Sequence, residues 1–84
     1  MNIDETTNIL AKQFAVHVGM SPQVAMMAGR RYVSEYFKEK NISDLPRFEV
    51  PNFGKWVADK LKASGIVNPD RVEKLAADFN ANKV

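Results

Sequence analysis

The sequence predicts an all-α protein of four helices arranged as two helical hairpins, joined by an irregular or extended segment. Two breaks of similar composition indicate this arrangement, one at residues 18–22 and one at residues 64–69. Each break contains a glycine, which closes a helix in the left-handed conformation, and then a capping residue and a proline, which start the next helix. On both sides of each break, apolar residues recur at the three- and four-residue spacing of amphipathic helices. We therefore expect positive φ angles at Gly19 and Gly65.

The first hairpin begins with a helix over residues 4–18, which has one narrow apolar face. Ser21 caps a second helix over residues 22–40. The broad apolar arc of this second helix comprises Ala25, Met26, Gly29, Tyr32, Val33, Tyr36 and Phe37. Gly29 lies at the centre of the arc, although a glycine inside a helix costs about 1 kcal/mol relative to alanine. We infer that another backbone passes close to Gly29.

Residues 46–51 connect the two hairpins, and the helical spacing is lost there. A proline at each end brackets Arg47–Val50, where charged and apolar residues alternate with the two-residue period of an extended chain. Phe48 and Val50 are thus expected to point the same way. Two interpretations remain open: a strap that lays both side chains over the core, or an exposed strand edge that pairs with a strand of a partner.

The second hairpin consists of helices over residues 53–64 and 69–80, with Asn52 and Asn68 placed as their N-caps. Six of the eight aromatic residues lie between residues 32 and 56, and such clustering is typical of the centre of a core. We expect the side chains of Phe14 and Trp56 to be largely buried. Nothing in the sequence divides the chain, so residues 1–84 are predicted to form one domain.

The composition narrows the functional classes. The net charge of +2 is small for a protein held on nucleic acid mainly by electrostatics. Cysteine is absent, which excludes disulfides and thiol chemistry. No apolar run approaches the ~20 residues of a membrane span, and no basic and apolar targeting segment is present. The sequence therefore predicts a cytoplasmic protein that has no membrane partner.

Patterns typical of catalysis and metal binding are also missing from the sequence. His17 is the single histidine, and its place near a helix end is explained by the helix dipole. One histidine without cysteine does not form a common zinc site, and the carboxylates lack the spacing of a metal-binding loop. There is no glycine-rich phosphate loop and no nucleophile motif. We expect a protein without enzymatic activity, cofactor or metal.

Residues 15–25 resemble the helix-turn-helix of bacterial repressors. A small residue stands four positions before the turn glycine, an apolar residue follows the glycine, and Ser-Pro opens the next helix. The resemblance implies that the second helix lies in the major groove of DNA. The residues facing the groove would be Gln23, Met27, Arg30, Arg31, Ser34 and Lys38. Against this reading, residues 22–40 are long for a recognition helix, and the small net charge attracts a polyanion only weakly.

Binding to another protein is the function that the sequence favours, because it needs neither an excess of charge nor an active site. The predicted class is a small helical regulator, adaptor or inhibitor, of the kind common in bacteria and phages. The candidate partner-binding residues lie on the second helix and on the connecting segment: Met27, Arg30, Arg31, Lys38, Arg47, Phe48 and Val50. Self-association through the second helix is another use of the same surface. Nucleic acid is the less favoured partner.

Overall fold

A computed structural model describes residues 1–65 and 67–84 and confirms the two helical hairpins. The first helix, α1, spans Ile3–Gln13 and continues as one π-helical turn over Phe14–Val18. The other helices are α2 (Pro22–Lys40), α3 (Val50–Ser64) and α4 (Pro69–Asn80). α1 packs along α2 and α3 packs along α4, and no strand is found in the described part of the chain.

The predicted ends of the hairpin helices are confirmed by their capping geometry. Gly19 and Gly65 both have left-handed backbones, with φ of 78° and 69°. The Ser21 hydroxyl accepts a hydrogen bond from Val24 N at 3.3 Å, and the Asn68 side chain accepts one from Asp70 N at 2.8 Å. Each helix start is thus fixed by the residue next to it, as local capping requires.

The π-helical turn at the end of α1 ties the first hairpin to the second. Its His17 Nε2 lies 2.7 Å from Asp78 Oδ2 on α4. The carbonyl oxygen of Val18 accepts a hydrogen bond from Arg71 Nη1, also on α4, at 3.2 Å. His17 therefore has a structural partner on the opposite hairpin. The sequence indicated one structural reason for His17, the dipole of its helix, and the contact with Asp78 is a second structural reason.

The connecting segment is irregular, but its predicted extended strap is wrong. Arg47–Glu49 form a 3-10 turn, and α3 begins at Val50, three residues before the expected start. Asn52 therefore lies inside α3 and is not its N-cap. Pro51 occupies the first turn of α3, where a fixed φ and a missing N–H both suit a helix start. The proline that we interpreted as the end of a strap is instead part of the next helix.

Phe48 and Val50 point in opposite directions, contrary to the two-residue alternation. Phe48 is 77% exposed, whereas Val50 is completely buried. Both interpretations of the segment are therefore wrong: it is neither a strap with the two side chains on the core nor an exposed strand edge.

A chain of edge-to-face aromatic rings joins the two hairpins in the core. The chain comprises Phe14, Tyr32, Trp56, Tyr36, Phe53 and Phe79, with successive ring centroids 5.0–6.3 Å apart. Such geometry stabilises aromatic pairs beyond the area that they bury. Phe14 is fully buried as expected, and Trp56 is partly exposed but packs against the core. Met26, which was predicted to lie in the apolar arc of α2, is 41% exposed, so that prediction is wrong.

The inferred close approach at Gly29 is confirmed, and the neighbouring backbone belongs to α1. A Cβ atom added at Gly29 would lie 3.4 Å from Thr7 O and 3.4 Å from Ala11 N. The absence of a side chain at this position lets α1 and α2 pack at short distance. The outer side of α2 is left facing solvent.

Candidate functional site

Large apolar side chains are exposed chiefly on α2. Among the described residues, the exposed ones are Val16, Val24, Met26, Met27 and Phe48. Three of these five lie within four residues of each other on the first turns of α2. Single exposed apolar residues are common on protein surfaces, but a contiguous group marks an interaction site more specifically. This part of α2 is therefore the first candidate surface.

The residues predicted for DNA or protein contact on α2 all lie on its solvent side. Those residues are Gln23, Met27, Arg30, Arg31, Ser34 and Lys38, and each is exposed. Met27, Arg31, Ser34 and Lys38 follow the three- and four-residue spacing of one helix face, opposite the buried Gly29 and Tyr36. The helical period thus placed the exposed ridge of α2 correctly.

Two shallow hollows flank Met27 and form one surface. One, of ≈ 500 Å³, is lined by Met26, Met27, Arg30, Arg31 and Ser34. The other, of ≈ 300 Å³, is lined by Val24, Met27, Ala28 and Arg31. Because Met27 and Arg31 line both hollows, the surface is continuous. We call it the α2 patch and define it by Val24, Met26, Met27, Arg30 and Arg31.

The cations around the α2 patch differ in how far they are neutralised. Arg30 Nη2 donates to Asp4 Oδ1 at 2.6 Å, so its charge is paired. Arg31 lies over the ring of Tyr32, 5.5 Å from the centroid, and has no carboxylate partner among the described residues. Lys38 likewise has no ion pair in that part of the chain. On the outward face of α2, Arg31 and Lys38 are therefore the positive charges that have no ion-pair partner among the described residues.

The three candidate residues of the connecting segment are not brought together. Val50 is buried in the core, so its prediction as a partner-binding residue is wrong. Arg47 has a structural role: its Nη2 donates to Val84 O at 3.1 Å, while its own carbonyl accepts from Asn82 Nδ2 at 3.2 Å. Only Phe48 remains as an exposed apolar side chain.

An aromatic groove that sequence reasoning did not locate lies beside the connecting segment. This groove of ≈ 360 Å³ is lined by Tyr36, Lys40, Ile42, Leu45, Pro46, Glu49, Asn52 and Trp56. Lys40 Nζ lies 5.8 Å from the centre of the Tyr36 ring, and Asn52 Nδ2 donates to Glu49 Oε2 at 3.1 Å. The cluster of aromatics between residues 32 and 56 was the available signal. It did not indicate that part of the cluster faces a groove.

The phenol of Tyr36 is electrostatically perturbed in this groove. Burial raises its pKa above the ordinary value, and the carboxylates of Glu49 and Glu39 raise it further. Each cause disfavours the phenolate, the first by desolvation and the second by repulsion between like charges. The pKa of Tyr36 is therefore higher than that of an exposed tyrosine.

We expect Tyr36 to keep its proton to higher pH in the folded protein than in the unfolded chain. The native state then binds that proton more tightly, so the free energy of unfolding falls as the pH rises past the ordinary pKa of tyrosine. In a Tyr32→Phe variant, Tyr36 is the only tyrosine, and phenolate absorbance reports it alone. Equal titration midpoints for the folded and urea-unfolded variant would contradict the expectation.

Metal-ligand groups and membrane-spanning helices are both absent from the part of the chain that the structure describes. No three histidine or carboxylate side chains are grouped as metal ligands there, and no helix has the length and apolar character to cross a membrane. The chain matches no protein-family profile, no curated protein and no solved structure.

Proposed function

We propose that this protein acts in the cytoplasm by binding another protein through the α2 patch. It is a small non-enzymatic regulator, adaptor or inhibitor. The observation that carries the proposal is the exposure of Val24, Met26 and Met27 within a single turn of one helix. Removing such apolar surface from water stabilises a complex by about 25 cal/mol per Å² before the costs of association. Arginine beside apolar residues is also enriched in protein interfaces.

The charges favour a protein over nucleic acid as the partner. Of the two patch arginines, Arg30 is already paired with Asp4. Apolar side chains stand at the centre of the patch, where a DNA-binding surface needs donors to phosphates and base edges. The net charge of +2 adds little long-range attraction for a polyanion. The exposure of Gln23, Ser34 and Lys38 leaves helix-turn-helix binding as the alternative that the experiment has to separate.

We expect a Met27→Ser variant to lose a protein partner that the wild type captures from extracts of its native cell. Met27 is 75% exposed, so truncation removes contact area from the α2 patch without opening a cavity in the core. Affinity should fall roughly tenfold or more, as for a residue near the centre of an interface. The matched control is Phe48→Ser, since Phe48 is 77% exposed on a different element. Capture should be unchanged by that control and by nuclease treatment.

Two results would overturn the proposal. Loss of capture in Phe48→Ser, with full capture by Met27→Ser, places the interface on the connecting segment. Retardation of duplex DNA at physiological salt, abolished by Arg30→Ala with Arg31→Ala, identifies a helix-turn-helix protein instead. Circular dichroism of each variant verifies that the helical fold is retained.

A further inference from the structure

We infer that the α2 patch continues onto the second hairpin and that its partner is an acidic amphipathic helix. The inference rests on the proposed function and specifies the chemistry of the partner. Its first support is a third hollow, of ≈ 490 Å³, between the two hairpin turns, lined by Val18, Met20, Val24, Val67, Asn68 and Arg71. Val24 lines both this hollow and the α2 patch. The three hollows therefore form one surface, whose apolar strip we define as Met20, Val24, Met27 and Val67.

The strip, together with the polar ridge of α2 that continues from Met27 to Lys38, suits a helix as the occupant. From Val24 to Lys38, α2 extends about 21 Å at its rise of 1.5 Å per residue, which equals about four helical turns of a partner. A helix that docks in this way presents apolar residues at three- and four-residue spacing. Met20, Met26 and Met27 supply flexible, polarisable side chains that adapt to such a face.

The rim of the strip is positive and largely open. Neither Arg31, Lys38 nor Arg71 has a carboxylate partner among the described residues. Arg71 uses one guanidinium nitrogen for the carbonyl of Val18, and a guanidinium carries five N–H donors. Two of the nearby acids are neutralised within the fold, because Asp4 pairs with Arg30 and Glu35 pairs with Lys60. Glu39 and Asp70 have no ion pair among the described residues, so the rim carries three unpaired cations against two unpaired carboxylates. An occupant with carboxylates beside its apolar face is complementary to this rim.

A second copy of the chain fits the strip less well than an acidic helix does. In a two-fold symmetric pairing, the same patch of each copy faces the other, so that both strips bring open Arg31 and Lys38 charges into one interface. Like charges in an interface oppose association. The occupant that we propose is therefore a different, acidic segment. Self-association is an outcome of the test.

The test uses a synthetic peptide of about sixteen residues, with leucines at helical spacing and glutamates beside them. A second peptide carries lysine in place of each glutamate. We expect the acidic peptide to bind more tightly in fluorescence anisotropy, with affinity that falls as salt rises. Amide chemical shifts should change at Met20, Val24, Met27 and Arg71. Equal binding of both peptides, or shift changes confined to another face, would overturn the inference.

Charge reversal makes the test specific. Arg31→Glu with Lys38→Glu should weaken binding of the acidic peptide roughly tenfold or more and strengthen binding of the basic one. The matched control, Lys12→Glu with Lys55→Glu, changes the net charge equally on α1 and α3 and should have little effect on either peptide. An equal loss in the control pair would show that net charge, and not the rim, attracts the peptide, and the inference fails.

The remaining outcomes separate this inference from the proposed function. If Met27→Ser loses its cellular partner while the acidic peptide shows no preference, the proposed function stands and the acidic helix is wrong. If Met27→Ser keeps its partner, the proposed function fails. A dimer in sedimentation that Met27→Ser dissociates, or binding to anionic vesicles in preference to the acidic peptide, assigns the strip to another occupant and overturns the inference.

Discussion

Replacing Phe53 by alanine is expected to destabilise the protein by about 3–5 kcal/mol, which approaches the entire stability of a domain of this size. Phe53 is completely buried. The centroid of its ring lies 5.0 Å from that of Tyr36 on the first hairpin and 5.8 Å from that of Phe79 on α4. Truncation leaves a cavity at the point where the two hairpins join. Urea denaturation followed by circular dichroism measures the change.

Phe48→Ala is the matched control for that experiment. Phe48 has the same side chain only five positions earlier, but it is 77% exposed. Its truncation should change the free energy of unfolding by no more than about 0.5 kcal/mol, as for surface substitutions. Comparable losses for Phe48→Ala and Phe53→Ala would show that the described burial of the second hairpin is wrong.

Gly54→Ala is also expected to reduce the stability of the fold strongly, second only to Phe53→Ala, although it adds a single methyl group. A Cβ atom at Gly54 would overlap Phe79 Cβ and would lie 2.6 Å from Phe79 Cγ. Because the obstructing atoms include the Cβ of Phe79, a side-chain rotation cannot relieve the contact, and α3 and α4 have to separate. We expect a loss of about 3 kcal/mol, at the upper end for overpacked cores, in thermal or urea unfolding.

Gly29→Ala provides the comparison, since Gly29 is also a buried glycine inside a helix. Its added Cβ would approach backbone atoms of α1 no closer than 3.4 Å. Alanine also gains about 1 kcal/mol of helix propensity over glycine. The net effect should be within about 1 kcal/mol of zero and far smaller than for Gly54→Ala. A Gly54→Ala variant as stable as Gly29→Ala would contradict the close packing of α3 on α4.

The candidate site was partly predictable, because helical periodicity fixes which residues share a face. The spacing of Met27, Arg31 and Lys38 identified the outer ridge of α2 without any coordinates. It did not indicate that Asp4 would pair with Arg30, or that Arg71 would extend the surface from α4. Those relations join residues far apart in the chain, and periodicity carries no information about such distances.

Local sequence patterns were sufficient to predict the four helices and the two hairpin turns, apart from the start of α3. Gly19 and Gly65 end helices because of their own conformational freedom, and Ser21 and Asn68 start helices by bonding backbone atoms two or three residues away. Local patterns did not reveal that the side chain of Phe79 packs directly on Gly54, or that Val50 is buried while Phe48 is exposed, because these depend on how the helices pack. A cap acts between neighbours in the chain, whereas burial depends on which distant element packs against a residue.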